Sequence, residues 1–166
     1  MTDELGEATV VGTPPASGAD RALAPGWARL LLVVVGIPQV VTGLWAVSAP
    51  QHFFDHFPGL GPMLVAAEPP FNHHLVSDTG SGFLATGVLV LIAAIWGLRP
   101  LVFVASICLI VFAVPHSVFH ALHPADALTA AENVVNVAVL VVGAAIPVVV
   151  AYAARPEFGH NPSKGQ

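Results

Sequence analysis

Apolar residues run along the chain in four long blocks, roughly residues 27–47, 73–98, 100–122 and 130–154, with polar residues gathered mostly between and at the ends of them. Each block has about the 20 residues that a helix needs to cross roughly 30 Å of hydrocarbon. Inside a bilayer the backbone has no water to bond to, so only helices or closed barrels span it. The blocks are continuously apolar rather than alternating, which excludes barrel strands. The pattern predicts an all-α fold, a four-helix transmembrane bundle running up-down-up-down.

The gaps between the blocks predict how the helices are joined. Residues 48–72 form a long connection rich in Pro, Phe and His, and its stretch QHFFDHF reads as an interfacial segment with Phe53, Phe54 and Phe57 dipping into headgroups. Asn72 is placed to cap the second helix. Leu98-Arg99-Pro100 is a tight turn, so the second and third spans should be antiparallel neighbours. Thr129-Ala-Ala-Glu132 reads as a capping box that opens the fourth helix. Gly36 and Gly43 in the first span, and Gly80 and Gly87 in the second, have the small-residue spacing that lets helices approach closely. Residues 1–25 mix Gly, Pro, Thr, Ala and acid without periodicity and read as a disordered tail, with a second short tail over 156–166. Acids at Asp3, Glu4 and Glu7 replace the positive start of a signal peptide.

Charge gives the bundle a direction. The chain has only five Lys and Arg: Arg21, Arg29, Arg99, Arg155 and Lys164. With four spans, all of these fall on one side. The excess of basic residues on cytoplasmic loops then predicts both termini inside, in a cell (inner) membrane. Trp27, Trp96 and Tyr152 fall near that inner boundary. Composition agrees with a membrane protein, since 55% of residues are hydrophobic and 9% charged, against about 25% charged in ordinary soluble domains. Mean hydropathy is +0.79. These figures exclude a disordered chain and a nucleic-acid binder built on basic patches. The partners they imply are the lipid bilayer and a second membrane protein or a second copy of the chain. Cys108 is the single cysteine, so no intrachain disulfide forms, and its mid-span position reads as a small core residue.

The eight histidines outnumber the basic residues, and they are segregated. His52, His56, His73, His74, His116, His120 and His123 fall toward the outer side, and His160 alone falls inside. The same side carries Asp55, Glu68, Asp78, Asp126 and Glu132, with no Lys or Arg to pair with them. Asp78 stands 21 residues before Arg99 and His120 stands 21 residues after it, so both lie roughly 30 Å from that turn at about 1.5 Å per residue. His74 and His123 lie a turn further out, His116 a turn deeper. Gln39, Thr42, Ser81, Glu132 and Asn136 add polar groups to the outer half of all four spans.

Spacing suggests chemistry for this layer. His74, Asp78 and Ser81 recur at i, i+4, i+7, as do His116, His120 and His123, and such residues share a helix face. Two imidazoles four apart on a helix can ligate one metal. His74, Asp78, His116 and His120 are therefore candidate ligands for a divalent transition metal (Zn, Cu or Fe), with His123, Gln39, Ser81, Glu132 and Asn136 as the surrounding polar layer. Redox or metal-dependent chemistry on the extracytoplasmic side would follow. Haem b held by one imidazole from each of the two spans is an alternative, with Gly80, Gly82, Ala85 and Gly87 making room for its edges. A third reading is non-enzymatic: an accessory subunit or pH sensor in which the polar layer fixes helix register, for instance through an Asp78–His120 ion pair.

The stretches Phe71-Asn72-His73-His74-Leu75-Val76-Ser77-Asp78-Thr79-Gly80 and Val114-Pro115-His116-Ser117-Val118-Phe119-His120 resemble a group of small bacterial four-span membrane proteins with His-x-x-x-Asp in helix two and Pro-His-x-x-x-His in helix three. The layout is also similar to that of the DoxX-like four-span proteins, without a diagnostic DoxX motif. The resemblance covers about residues 27–155. It implies the four-span fold and implies that His74, Asp78, His116 and His120 act as one unit. It implies no particular reaction.

Overall fold

An apolar segment deprived of water closes its hydrogen bonds by coiling, and its ends are fixed by residues that satisfy the last open groups. The structure, a computed structural model, describes residues 22–155. Among these residues the chain forms five helices: α1 (Gly26–Ser48), α2 (Pro50–His56), α3 (His73–Trp96), α4 (Arg99–Leu122) and α5 (Ala130–Ala154). The four longer ones are long and apolar enough to cross a membrane. The short α2 lies inside the connection expected to be an interfacial segment. Asn72 caps α3 through its side chain, which accepts from Leu75 N, and Thr129 and Glu132 form the expected capping box on α5. Gly97 ends α3 in the left-handed conformation (φ 69°), two residues earlier than the apolar block suggests.

The expected tail is tied down from residue 22. Ala24 N donates to Gly97 O (2.8 Å) and Arg99 N donates to Ala22 O (3.0 Å). The turn after α3 leaves backbone groups open, and the extended 22–25 segment completes them. The remainder of both expected tails, His160 included, lies outside the described residues.

The helices associate as two pairs, α1 with α3 and α4 with α5. Glycines set the first pair. A Cβ on Gly43 would strike Leu84 N and stand 2.7 Å from Gly80 O, and one on Gly80 would stand 2.7 Å from the Ala46 side chain. One on Gly87 would stand 2.8 Å from Val40 N. Contacts of 36 with 91, 43 with 84 and 46 with 80 run in opposite order, so α1 and α3 are antiparallel. The second and third spans, although joined by a tight turn, touch each other less than either touches its own partner.

One end of the bundle is tightly closed. Arg29 reaches from α1 to the open carbonyls that end α3, donating to Ala94 O (2.8 Å) and Ile95 O (3.0 Å). Arg99, at the start of α4, donates to Ala153 O near the end of α5 (3.1 Å). Leu32, Val90, Val102, Leu109 and Val150 form the buried core, together with small alanines. Most of this core lies in the half of the bundle nearest the arginines. The outward faces carry large apolar residues, among them Leu30, Val34, Val41, Val111, Val149 and Tyr152, the surface that a bilayer covers. Cys108 lies on an exposed face and not in the core.

Candidate functional site

In the half of the bundle away from the arginines the two helix pairs stand apart over much of their facing surfaces. They leave a cavity of about 870 Å³, within the roughly 300–1,000 Å³ range of small-molecule sites. Its walls come from all four long helices. Val35, Gln39 and Thr42 line it from α1, and Leu75, Val76, Thr79 and Phe83 from α3. Phe112, Ala113, His116, Ser117 and His120 line it from α4, with Glu132, Val135, Asn136 and Val139 facing them from α5. The connection after α1 also contributes. Phe53, Phe54 and Phe57 line the cavity, and Phe53 is buried. These rings were expected among lipid headgroups, but the space between the helix pairs gives them an apolar surface within the protein. Ring contacts brace the segment: Trp45 meets Phe53 edge-on (5.7 Å between centroids), and Trp45 Nε1 donates to His52 Nδ1 (3.0 Å). His56 stacks on His52 (4.3 Å between centroids).

His116 and His120 face this space from one wall. The His116 ring stacks on Phe112 (5.6 Å between centroids) and meets the His120 ring edge-on (4.8 Å). Phe112 in turn meets Phe83 of α3 edge-on (5.0 Å). Ring contacts, rather than hydrogen bonds, hold both imidazoles among the described residues. On the α1 wall, Gln39 Oε1 is buried without a hydrogen-bond partner among the described residues. Ser117 lines the same space, but its hydroxyl donates back to Ala113 O (2.7 Å) within its own helix.

The expected four-residue unit divides. His116 and His120 face the cavity. His74 and Asp78 instead pair with each other on α3 (3.2 Å), with side chains 87% and 63% exposed. Asp78 therefore does not bridge to His120. The reason is azimuth. α3 turns its glycine face to α1 and presents Leu75, Val76, Thr79 and Phe83 to the cavity, which leaves His74 and Asp78 outside both surfaces. Ser81 donates to Ser77 O (2.9 Å) within α3 and does not line the cavity. His123 stacks on Phe119 (4.6 Å between centroids), with Nδ1 3.0 Å from Phe119 O, as a cap at the end of α4. Glu132 Oε2 accepts from Thr129 N and Thr129 Oγ1 (both 2.8 Å), while the residue also borders the cavity beside Asn136.

This arrangement does not gather the four candidate metal ligands into one group. Among the described residues no group of three or more His, Cys, Asp or Glu is placed to hold a metal ion. Of the glycines expected to make room for a haem edge, Gly80 and Gly87 are packed against α1, while Gly82 has nothing within 4 Å of a would-be Cβ. The residues that sequence reasoning missed are the aromatic ones, Phe83 and Phe112, together with Thr79 and Glu68 in the lining. Phe112 and His116 stand at i, i+4, so that periodicity was readable, but the gap it faces was not.

Comparison with family models, curated proteins and solved structures finds no match for the chain.

Proposed function

We propose that this chain is a multi-pass membrane protein that binds a largely apolar small molecule in the cavity between the α1–α3 and α4–α5 pairs. The observation that carries this reading is the cavity itself. It is of ligand size and apolar over most of its surface, with a few polar groups converging on it: Gln39, His116, His120 and Asn136. A buried acceptor without a partner, such as Gln39 Oε1, costs about 1–3 kcal/mol, and a ligand donor would remove that cost. The basic residues support an orientation with the arginine end cytoplasmic and the cavity toward the outer face of the cell membrane. The bilayer supplies the ligand, and the role is binding or carriage.

Organic extraction of detergent-purified protein, followed by mass spectrometry, tests this. Ala113→Trp and Val139→Trp fill the cavity from two different walls. Wild type should carry a defined apolar compound that both variants lose while remaining helical and monodisperse. Identical extracts from all three proteins would refute the reading. Metal analysis of the same samples reads the alternative directly: near-stoichiometric metal that His116→Gln/His120→Gln removes would replace the apolar ligand with a metal centre.

A further inference from the structure

The charges around the cavity narrow what it takes. Between Arg29 and Arg99, and again between Arg99 and Arg155, the chain contains no Lys or Arg. Arg29 and Arg99 are engaged at the closed end, on carbonyls of α3 and α5. That end lies roughly 30 Å from the His120 layer at about 1.5 Å per residue. Two carboxylates, Glu68 and Glu132, border the cavity. Asp55, Asp78 and Asp126 belong to the same end of the molecule. The partners of these acids are weak neutralisers. Asp55 accepts from the neutral amide of Gln51 (3.0 and 3.1 Å), Glu132 from Thr129, and Asp78 is paired with an imidazole. Glu68 is exposed and the Glu132 carboxylate bonds at an exposed site, so both act from the rim of the cavity.

An anionic head, whether carboxylate or phosphate, would meet the two carboxylates and no guanidinium or ammonium, with the His116 and His120 imidazoles as the basic groups in the lining. A cation would meet two carboxylates at the rim and a lining rich in phenylalanine, with Phe53, Phe54, Phe57, Phe83 and Phe112, rings whose faces attract positive charge through their quadrupoles. We infer that the cavity ligand is a lipophilic cation, an amine or onium group carried on an apolar body. This inference rests on the cavity reading above and adds the sign of the charge.

Three probes of similar shape and different charge separate the two: tetraphenylphosphonium, tetraphenylborate and neutral triphenylphosphine oxide. Each is titrated calorimetrically into the full chain in an uncharged detergent, at mildly alkaline pH where ordinary imidazoles are neutral. Ala113→Trp serves as the blank for partition into the micelle. The expected result is saturable binding of tetraphenylphosphonium above the blank and none of tetraphenylborate. Glu68→Gln/Glu132→Gln should weaken the cation about ten-fold and leave the neutral oxide unchanged. Glutamine at position 132 preserves the capping-box chemistry, so the variant keeps its helix start. Tetraphenylborate binding as tightly as the cation, or glutamine variants that bind the cation like wild type, would overturn the charge inference and leave the cavity reading standing. If no probe distinguishes wild type from Ala113→Trp, the cavity reading falls, and the charge inference falls with it.

Discussion

At Gly43 a single hydrogen atom sets how closely two helices lie. The atoms that a Cβ would strike, Leu84 N and Gly80 O, are backbone and cannot swing aside. Gly82, two residues from each of Gly43's neighbours on α3, has nothing within 4 Å of its own would-be Cβ. The two positions make opposite predictions for the same substitution. Gly43→Ala forces α1 and α3 apart and should cost about 1–3 kcal/mol, the usual penalty of overpacking. It should lower the thermal midpoint in detergent by several degrees. Gly82→Ala meets no atom and gains helix propensity, so its midpoint should be unchanged or slightly higher. Equal loss at both positions would show that the close α1–α3 crossing does not form. The glycine spacing was legible because its reason lies within each helix. The fate of His74 was not. Depth along a helix follows from counting residues, but the direction a side chain faces depends on which neighbour that helix chooses. Asp78, one turn from His74, shares a layer with His120, and the two still face different surroundings, one exposed and the other toward the cavity.

At the scale of the element, local signals fixed the ends and packing fixed the partners. Asn72 and Thr129 mark the starts of α3 and α5 in the sequence, because capping needs only residues three apart. Pairing was harder to read. A tight turn brings α3 and α4 side by side in the chain, yet the closer packing is α1 on α3 and α4 on α5. Glycine lets backbones approach and gain dispersion contacts, and in lipid that gain decides association. Phe53, Phe54 and Phe57 pose a related problem. Phenylalanines in a loop suit headgroups or an internal gap equally, and only the presence of the gap selects the second. Arg29 closes the α1–α3 pair by capping two carbonyls that the helix end leaves open. Arg29→Met keeps the apolar stem and removes both bonds. Loss of hydrogen bonds from a charged donor should cost about 1.5–3 kcal/mol. Urea or thermal denaturation of the purified variant measures it, and an unchanged midpoint would mean that water caps α3 equally well.

For the whole molecule, direction in the membrane and the location of the cavity are a single question. The start of α1, the end of α3, the start of α4 and the end of α5 meet at the arginine end, and exposed Trp27, Trp96 and Tyr152 lie there too. Arg155 sits over the Tyr152 ring at 4.2 Å. Cationic groups and amphipathic aromatic rings together are what a membrane–water boundary selects. The opposite end holds the carboxylates of the described residues and the cavity. If basic residues are retained on the cytoplasmic side, the cavity opens outward, and a cation would enter it from outside or from the outer leaflet. Cysteine labelling in intact cells decides this. Cys108 is first replaced by Ala, and a single cysteine is then placed at Asp126, in the connection before α5, or at Arg155, just beyond it. A membrane-impermeant maleimide should label the Asp126→Cys protein in intact cells. It should label the Arg155→Cys protein only after the membrane is opened. The reverse pattern would turn the cavity toward the cytoplasm. Labelling of both in intact cells would mean that α5 does not cross, and the four-span bundle would then be lost together with the outward cavity.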